Sequence, residues 1–145
     1  MSYSTELTDD YMGILHYGAG LVTGAELVEA CRATLQLLQN TENFHFDFID
    51  FSEVTELRIT ADEFDQIVAN DHFAAVFRPD AVVVIVAPRD DVFETATEWE
   101  RRVQDLGWKT YISRSRADAD EWLRQNYPSP KKAQVAPSES ESSPA

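Results

Sequence analysis

The spacing of apolar residues along the chain changes period several times, and each change predicts an element. Tyr3–Leu7 and Tyr11–Tyr17 read as two strands joined through "TDD", a turn-forming run, and so as an antiparallel hairpin. At Thr23 the period lengthens: Thr23 and Glu26 form a capping box, and Leu27, Cys31, Leu35 and Leu38 recur on one helical face. "FHFDFIDF", Phe44 to Phe51, alternates again, with Phe44, Phe46 and Phe48 on one side and His45, Asp47 and Ile49 on the other. A second capping box, Thr60 with Glu63, opens a helix through Phe64, Ile67 and Val68 that reaches Phe77, where Pro79 forbids further turns.

"AVVVIVA", Ala81 to Ala87, is apolar at both parities, the mark of a strand with helices on each side of its sheet. Val92, Ala96, Trp99, Val103 and Leu106 step along the next helix, and Gly107 is its C-terminal stop. "WKTYIS", Trp108 to Ser113, is a further strand. Ser115 with Asp118 starts a last helix through Ala119, Trp122 and Leu123. The expected fold is α/β, a single domain over residues 1–127 with element order ββαβαβαβα, a mixed sheet with an N-terminal β-hairpin and helices packed on it. From residue 128 the run "PSPKKAQVAPSESESSPA" has one bulky apolar side chain, Val135, and cannot bury enough surface to offset its ordering entropy, so residues 128–145 are expected to form a disordered Pro/Ser-rich tail.

Charge narrows the choice of partners. The chain has 26 acids against 12 Lys and Arg, a net charge of −14. Residues 1–57 hold ten of those acids against the single base Arg32. Nucleic acid and anionic membrane surfaces call for a basic face, so neither is an expected partner. The longest apolar run falls far short of the roughly 18 residues of a membrane span. The amino-terminal "MSYSTELTDD" is polar and acidic where a secretory signal is basic and then apolar, and a cytoplasmic location is expected. With Cys31 as the only cysteine no internal disulfide forms, and its place on the first helix face is that of a small buried hydrophobe.

The residues bear on three chemistries. "HYGAGLVTGAEL", His16 to Leu27, imitates a dinucleotide turn, with Gly18, Gly20 and Gly24 spaced G-x-G-x-x-x-G and Asp50 ending the next strand. Against it, the preceding strand belongs to a hairpin, Gly24 follows the capping Thr23, and that half of the chain is almost without positive charge. The structural alternative is a chain leaving the sheet into a capped helix. His45 and Asp47 share a strand face at a spacing acceptable for metal ligands, but neither His16 nor His72 stands in a metal motif, so no metal and no cofactor is expected. No Ser, His and acid set presents a nucleophile with its base, and Asp90 and Asp91 sit where acids stabilise the first turn of a helix.

"FDFIDFSEVTELRITADEF", Phe46 to Phe64, resembles the strand-loop-helix centre of STAS domains, in which a strand ends in an Asp-x-Ser-x-Val-Thr turn. Asp50, Ser52, Val54 and Thr55 stand in that pattern. The element order over residues 1–125, ending on a tryptophan-containing helix, is similar to that of the SpoIIAA-like group of small bacterial proteins. In the antagonists of that fold the helix opens with Asp-Ser-Ser-Gly, which carries a phosphorylated serine. Here the matching run is Arg58, Ile59, Thr60 and Ala61, so Thr60 alone offers a hydroxyl and the aspartate and glycine are absent. The resemblance implies a non-enzymatic regulatory module, monomeric or homodimeric, that meets a protein partner through Asp50, Ser52, Thr55, Arg58 and Thr60, with Thr60 as the candidate phospho-acceptor. The related CRAL-TRIO fold implies an alternative, a lipid or small apolar ligand held near Phe64, Phe73 and Phe77. A nucleotide-dependent enzyme using the Gly18–Gly24 turn is the third reading.

Overall fold

The computed structural model describes residues 2–8, 12–40 and 45–127; the expected tail over 128–145 and the turn residues Asp9 and Asp10 lie outside them. The elements run β1 (Tyr3–Leu7), β2 (Gly13–Thr23), α1 (Gly24–Asn40), β3 (Phe46–Arg58), α2 (Ala61–Ala74), β4 (Val82–Val86), α3 (Asp90–Val103), a short 3-10 turn (Gln104–Leu106), β5 (Lys109–Ser113) and α4 (Arg116–Asn126). They follow the order expected from the sequence.

The five strands lie in the sheet in chain order, β1-β2-β3-β4-β5, with β1 antiparallel to β2 and every later pair parallel. That order fixes where the helices go. Parallel crossovers are right-handed, so stepping always in one direction along the sheet puts each crossover helix on the same face. α1, α2 and α3 accordingly share one core with Phe51, Val83 and Ile85, and α4, which follows the last strand, covers the other face over Phe46, Phe48, Val82, Val84 and Val86. The two parities of β4 thus serve two cores, which is why all five of its residues are buried.

The capping residues act where the sequence places them. Thr23 and Glu26 exchange backbone-to-side-chain hydrogen bonds at 3.0 and 3.3 Å at the start of α1. Thr60 and Glu63 do the same for α2 at 3.0 and 3.1 Å, and Ser115 Oγ accepts from the Asp118 amide. Gly107, at φ 80°, takes the left-handed conformation that ends the α3 segment.

Two strands are longer than their sequence suggests. β2 does not stop at Tyr17 but runs through the glycines to Thr23, and β3 does not turn at Ser52 but continues to Arg58, paired with β2 throughout. The parallel ladder accommodates irregular side-chain parity by shifting register between Tyr17 and Ala19 and again between Gly20 and Leu21. Gly20, at φ 66°, supplies the positive φ that such an irregularity uses and that a side chain would strain. The glycine stretch is therefore an irregular strand, and the connection to α1 is direct.

Candidate functional site

β4 pairs with β3 only as far as Asp50, so along residues 51–58 the outer edge of β3 faces no strand among the described residues. Ser52, Thr55 and Arg58 are exposed on this segment, Arg58 bonding Glu56 at 2.6 Å, and the strand delivers an exposed Thr60 to the N-terminus of α2. Beside Thr60 an open groove of about 520 Å³ runs between α2 and α3. Its walls are Leu57, Ile59, Ala61 and Phe64 on one side and Asp91, Glu94, Thr95 and Glu98 on the other. Arg102 spans it, bonded to Asp65 at 3.1 Å and lying 5.4 Å from the Phe64 ring centre.

Asp50 does not belong to that surface. It is buried, its Oδ1 accepts from the Ser52 amide at 2.9 Å and from the Ser52 hydroxyl, and its Oδ2 accepts from Arg116 at 2.8 Å. The aspartate of the Asp-x-Ser pattern thus ties β3 to α4 instead of presenting itself to solvent, because residue 50 is the last position still covered by β4. Thr60 has a structural duty as well: replacing it with Ala removes the cap and is expected to cost about 1 kcal/mol, read as a lower urea midpoint with an unchanged slope.

Beneath α1, α2 and α3 lies a second feature, of whose lining the apolar-ligand reading of the sequence names only Phe64. A cavity of about 130 Å³ is walled mostly by apolar side chains from β1, the three helices and the sheet, with a polar group of residues at one part of its lining. Asp47 on β3 and Arg78 just after α2 are bonded through Nη1 and Oδ2 at 2.9 Å, both side chains buried. His16 Nε2 stands 3.5 Å from the other Asp47 oxygen, and its Nδ1 is 3.3 Å from the Thr5 hydroxyl. Burial pushes the Asp47 carboxyl up, but Arg78 and His16 more than offset this and bring it to about 2.

Asp71, on the last turn of α2, shows the opposite balance. Its Oδ2 accepts from Trp99 Nε1 at 2.7 Å, yet burial, with Asp47 adding repulsion, raises its pKa to about 7. Cys31 also lines the cavity, where burial pushes its thiol up and so disfavours the reactive thiolate. Trp108 Nε1 donates to the Arg78 carbonyl at 2.8 Å, holding the chain between α2 and β4 in place. The Asp47–Arg78 pair joins β3 to the chain between α2 and β4, and the signal available for it is an arginine inside the otherwise apolar "FAAVFRP".

Several candidates drawn from the sequence are not brought together. Phe64 lines the cavity, but Phe73 and Phe77 lie outside it, 52% and 45% exposed and packed edge to face on each other at 5.6 Å, because α2 ends at Ala74, short of the expected Phe77, with Phe73 on its last turn and Phe77 in the turn beyond it. His45 precedes β3 and stacks on Tyr127 at 5.9 Å, so it does not share the environment of Asp47, and no cluster of three or more metal-ligating side chains occurs among the described residues. Gly18 and Gly20 lie inside β2, and the N-terminus of α1 is lined by carboxylates: Glu26 caps it and the Glu63 side chain lies against Gly24. Such a terminus repels a pyrophosphate, which corrects the nucleotide-turn reading. No helix among the described residues is long and apolar enough to cross a membrane.

The chain matches no protein-family model and no curated protein sequence. Solved structures do share its fold. A protein of the DUF3478 family with a SpoIIAA-like fold from Shewanella loihica PV-4 superposes with a TM-score of 0.53 at 16% identity, over 83% of this chain and 91% of that one. The anti-sigma factor antagonist SpoIIAA in its unphosphorylated form superposes with a TM-score of 0.50 at 12% identity, over 84% of this chain and 97% of that one. The fold is SpoIIAA-like, as the STAS resemblance of the sequence implied.

Proposed function

We propose that the protein is a non-enzymatic, STAS-like regulatory module that docks a protein partner along Ser52, Thr55, Arg58 and Thr60 and the first turns of α2. The observation that carries this reading is the run of β3 past the end of β4, which leaves a strand edge without a neighbouring strand among the described residues and leads to an exposed threonine at a helix N-cap. A free edge offers main-chain donors and acceptors to an extended segment of a partner, and the adjoining groove offers Phe64 and Ile59 as apolar contacts flanked by carboxylates. A partner with a basic, partly apolar segment suits that chemistry. Phosphate on Thr60 would add charge beside Glu63, Asp62 and Asp65 and replace the hydroxyl cap, so modification there would weaken docking of a partner and loosen the start of α2.

Support of a different kind comes from the fold, which the antagonist SpoIIAA shares. The test is site-specific photocrosslinking in cells, with a benzophenone side chain placed in turn at Thr55, at Arg58 and, as a control on another surface, at Lys109. A protein adduct formed from positions 55 and 58, absent from 109 and lost in a Thr60→Glu chain that remains folded, is the expected result. Adducts of equal yield at all three positions, or none at 55 and 58, would remove the docking surface from consideration.

A further inference from the structure

We infer that the cavity under α1, α2 and α3 is a binding site for a compact, uncharged carbonyl compound about the size of a benzene derivative, with Arg78 donating to its carbonyl oxygen. The inference is independent of the partner-docking reading.

Size comes first. A cavity of about 130 Å³ is close to the roughly 150 Å³ engineered cavity that stays dry and takes up benzene, and it is far too small for a long-chain lipid. Its wall is dominated by side chains such as Leu27, Ile49, Phe51, Ile67, Val83 and Trp99, which favour a hydrocarbon body over a cluster of waters.

Polarity is then confined to a few groups. Arg78 lines the cavity, is 5% exposed, and uses Nη1 for Asp47, while its Nε and Nη2 are buried with no partner among the described residues. Buried donors left without acceptors are costly, and native chains retain them where something else supplies the acceptor. Thr34 Oγ1 and Asp47 Oδ1, also on the cavity lining, are further buried atoms without a hydrogen-bond partner among the described residues. The unused edge of a guanidinium suits an oxygen with in-plane lone pairs, which is what a carbonyl presents.

Charge excludes the alternative of an anion. Asp47 already neutralises Arg78, so a second carboxylate would bring net negative charge into an apolar cavity that also holds Asp71. A ketone, aldehyde or amide makes the same hydrogen bonds without that cost. Entry is available from the side of Thr60: Leu57, Ile59, Phe64 and Thr95 line both this cavity and the open groove between α2 and α3.

The experiment titrates the full chain at pH 8 with acetophenone, benzene and benzoate by calorimetry, and follows arginine Nε–H resonances in the ¹⁵N-labelled protein. Acetophenone is expected to bind at least tenfold more tightly than benzene and than benzoate, and to shift the Arg78 Nε–H resonance. In Arg78→Met, where it folds, acetophenone and benzene should converge. Equal affinities for acetophenone and benzene in the wild-type chain, a benzoate preference, no binding of any of the three at millimolar concentration, or an Arg78 resonance unmoved at saturation would each overturn the inference. Because the resonance is read on the unaltered protein, a variant that fails to fold does not decide the result.

Discussion

Arg78→Met is expected to destabilise the protein by about 3–5 kcal/mol, because it leaves the Asp47 carboxylate buried without its cation. With a urea slope near 2 kcal/mol per M this displaces the unfolding midpoint by roughly 2 M. The sign of the pH dependence identifies the cause. In the wild-type chain Asp47 sits at about 2, below its unfolded value, so the stability it contributes is present above about pH 4 and is lost as pH falls through 2. Without Arg78 the burial that now opposes ionisation goes unanswered, the folded-state pKa rises above the unfolded one, and the variant becomes more stable as pH falls. The double variant Asp47→Leu with Arg78→Met removes both charges and should recover most of the loss. Should Arg78→Met lose less than 1 kcal/mol at pH 7, or lose the same amount at pH 3 as at pH 7, the pair does not hold the structure as described.

How far this pair and its surroundings could be read from the sequence follows from the range of the interactions involved. Capping boxes are local: Thr23 with Glu26, Thr60 with Glu63 and Ser115 with Asp118 each lie within one turn, and each forms the expected bonds. The double-sided apolar run of β4 was equally legible, because burial on both faces leaves its mark at every residue. Where local signals compete, long-range pairing decides. Glycines at 18, 20 and 24 suggested a turn, although a parallel partner strand and two register shifts carry β2 straight through the first two.

In the same way "FSEVTELR" lost its alternation to the irregular ladder, so β3 read as ending at Phe51 although it runs seven residues further, to Arg58. The exposure of Ser52, Thr55, Arg58 and Thr60 follows a run continuous in sequence, whereas Asp50 is buried because β4 still extends alongside it. Of the cavity the sequence marked only an apolar pocket at Phe64, and its polar side was not legible. His16, Asp47, Asp71 and Arg78 come from β2, β3, α2 and the chain after α2, and no spacing rule relates residues that only the sheet order and the one-sided packing of the helices bring together.

Asp71→Asn should raise stability at pH 8 by about 2 kcal/mol and leave it nearly unchanged at pH 4. Burial holds this carboxyl at about 7, with repulsion from Asp47 adding to the effect and Trp99, Arg78 and His72 opposing it, so the folded chain keeps a proton that the unfolded chain gives up near pH 4. Between those values the folded state binds more protons, and stability falls as pH rises, until above about 7 the full cost of a partly buried carboxylate is present. The three-unit displacement corresponds to about 4 kcal/mol, and the partial exposure of the side chain halves what is expected in practice. Asparagine keeps an oxygen for the Trp99 indole, now 2.7 Å away, and never ionises. The comparison must be made between the two chains at each pH, because 26 acids against 12 bases make any chain of this composition repel itself more as pH rises, and that shared slope cancels in the difference. A variant no more stable than wild type at pH 8 would mean that Asp71 is ionised without penalty. A variant destabilised equally at pH 4 and pH 8 would mean that the Trp99 bond requires a carboxylate, and that this contact, and not protonation, sets what residue 71 contributes.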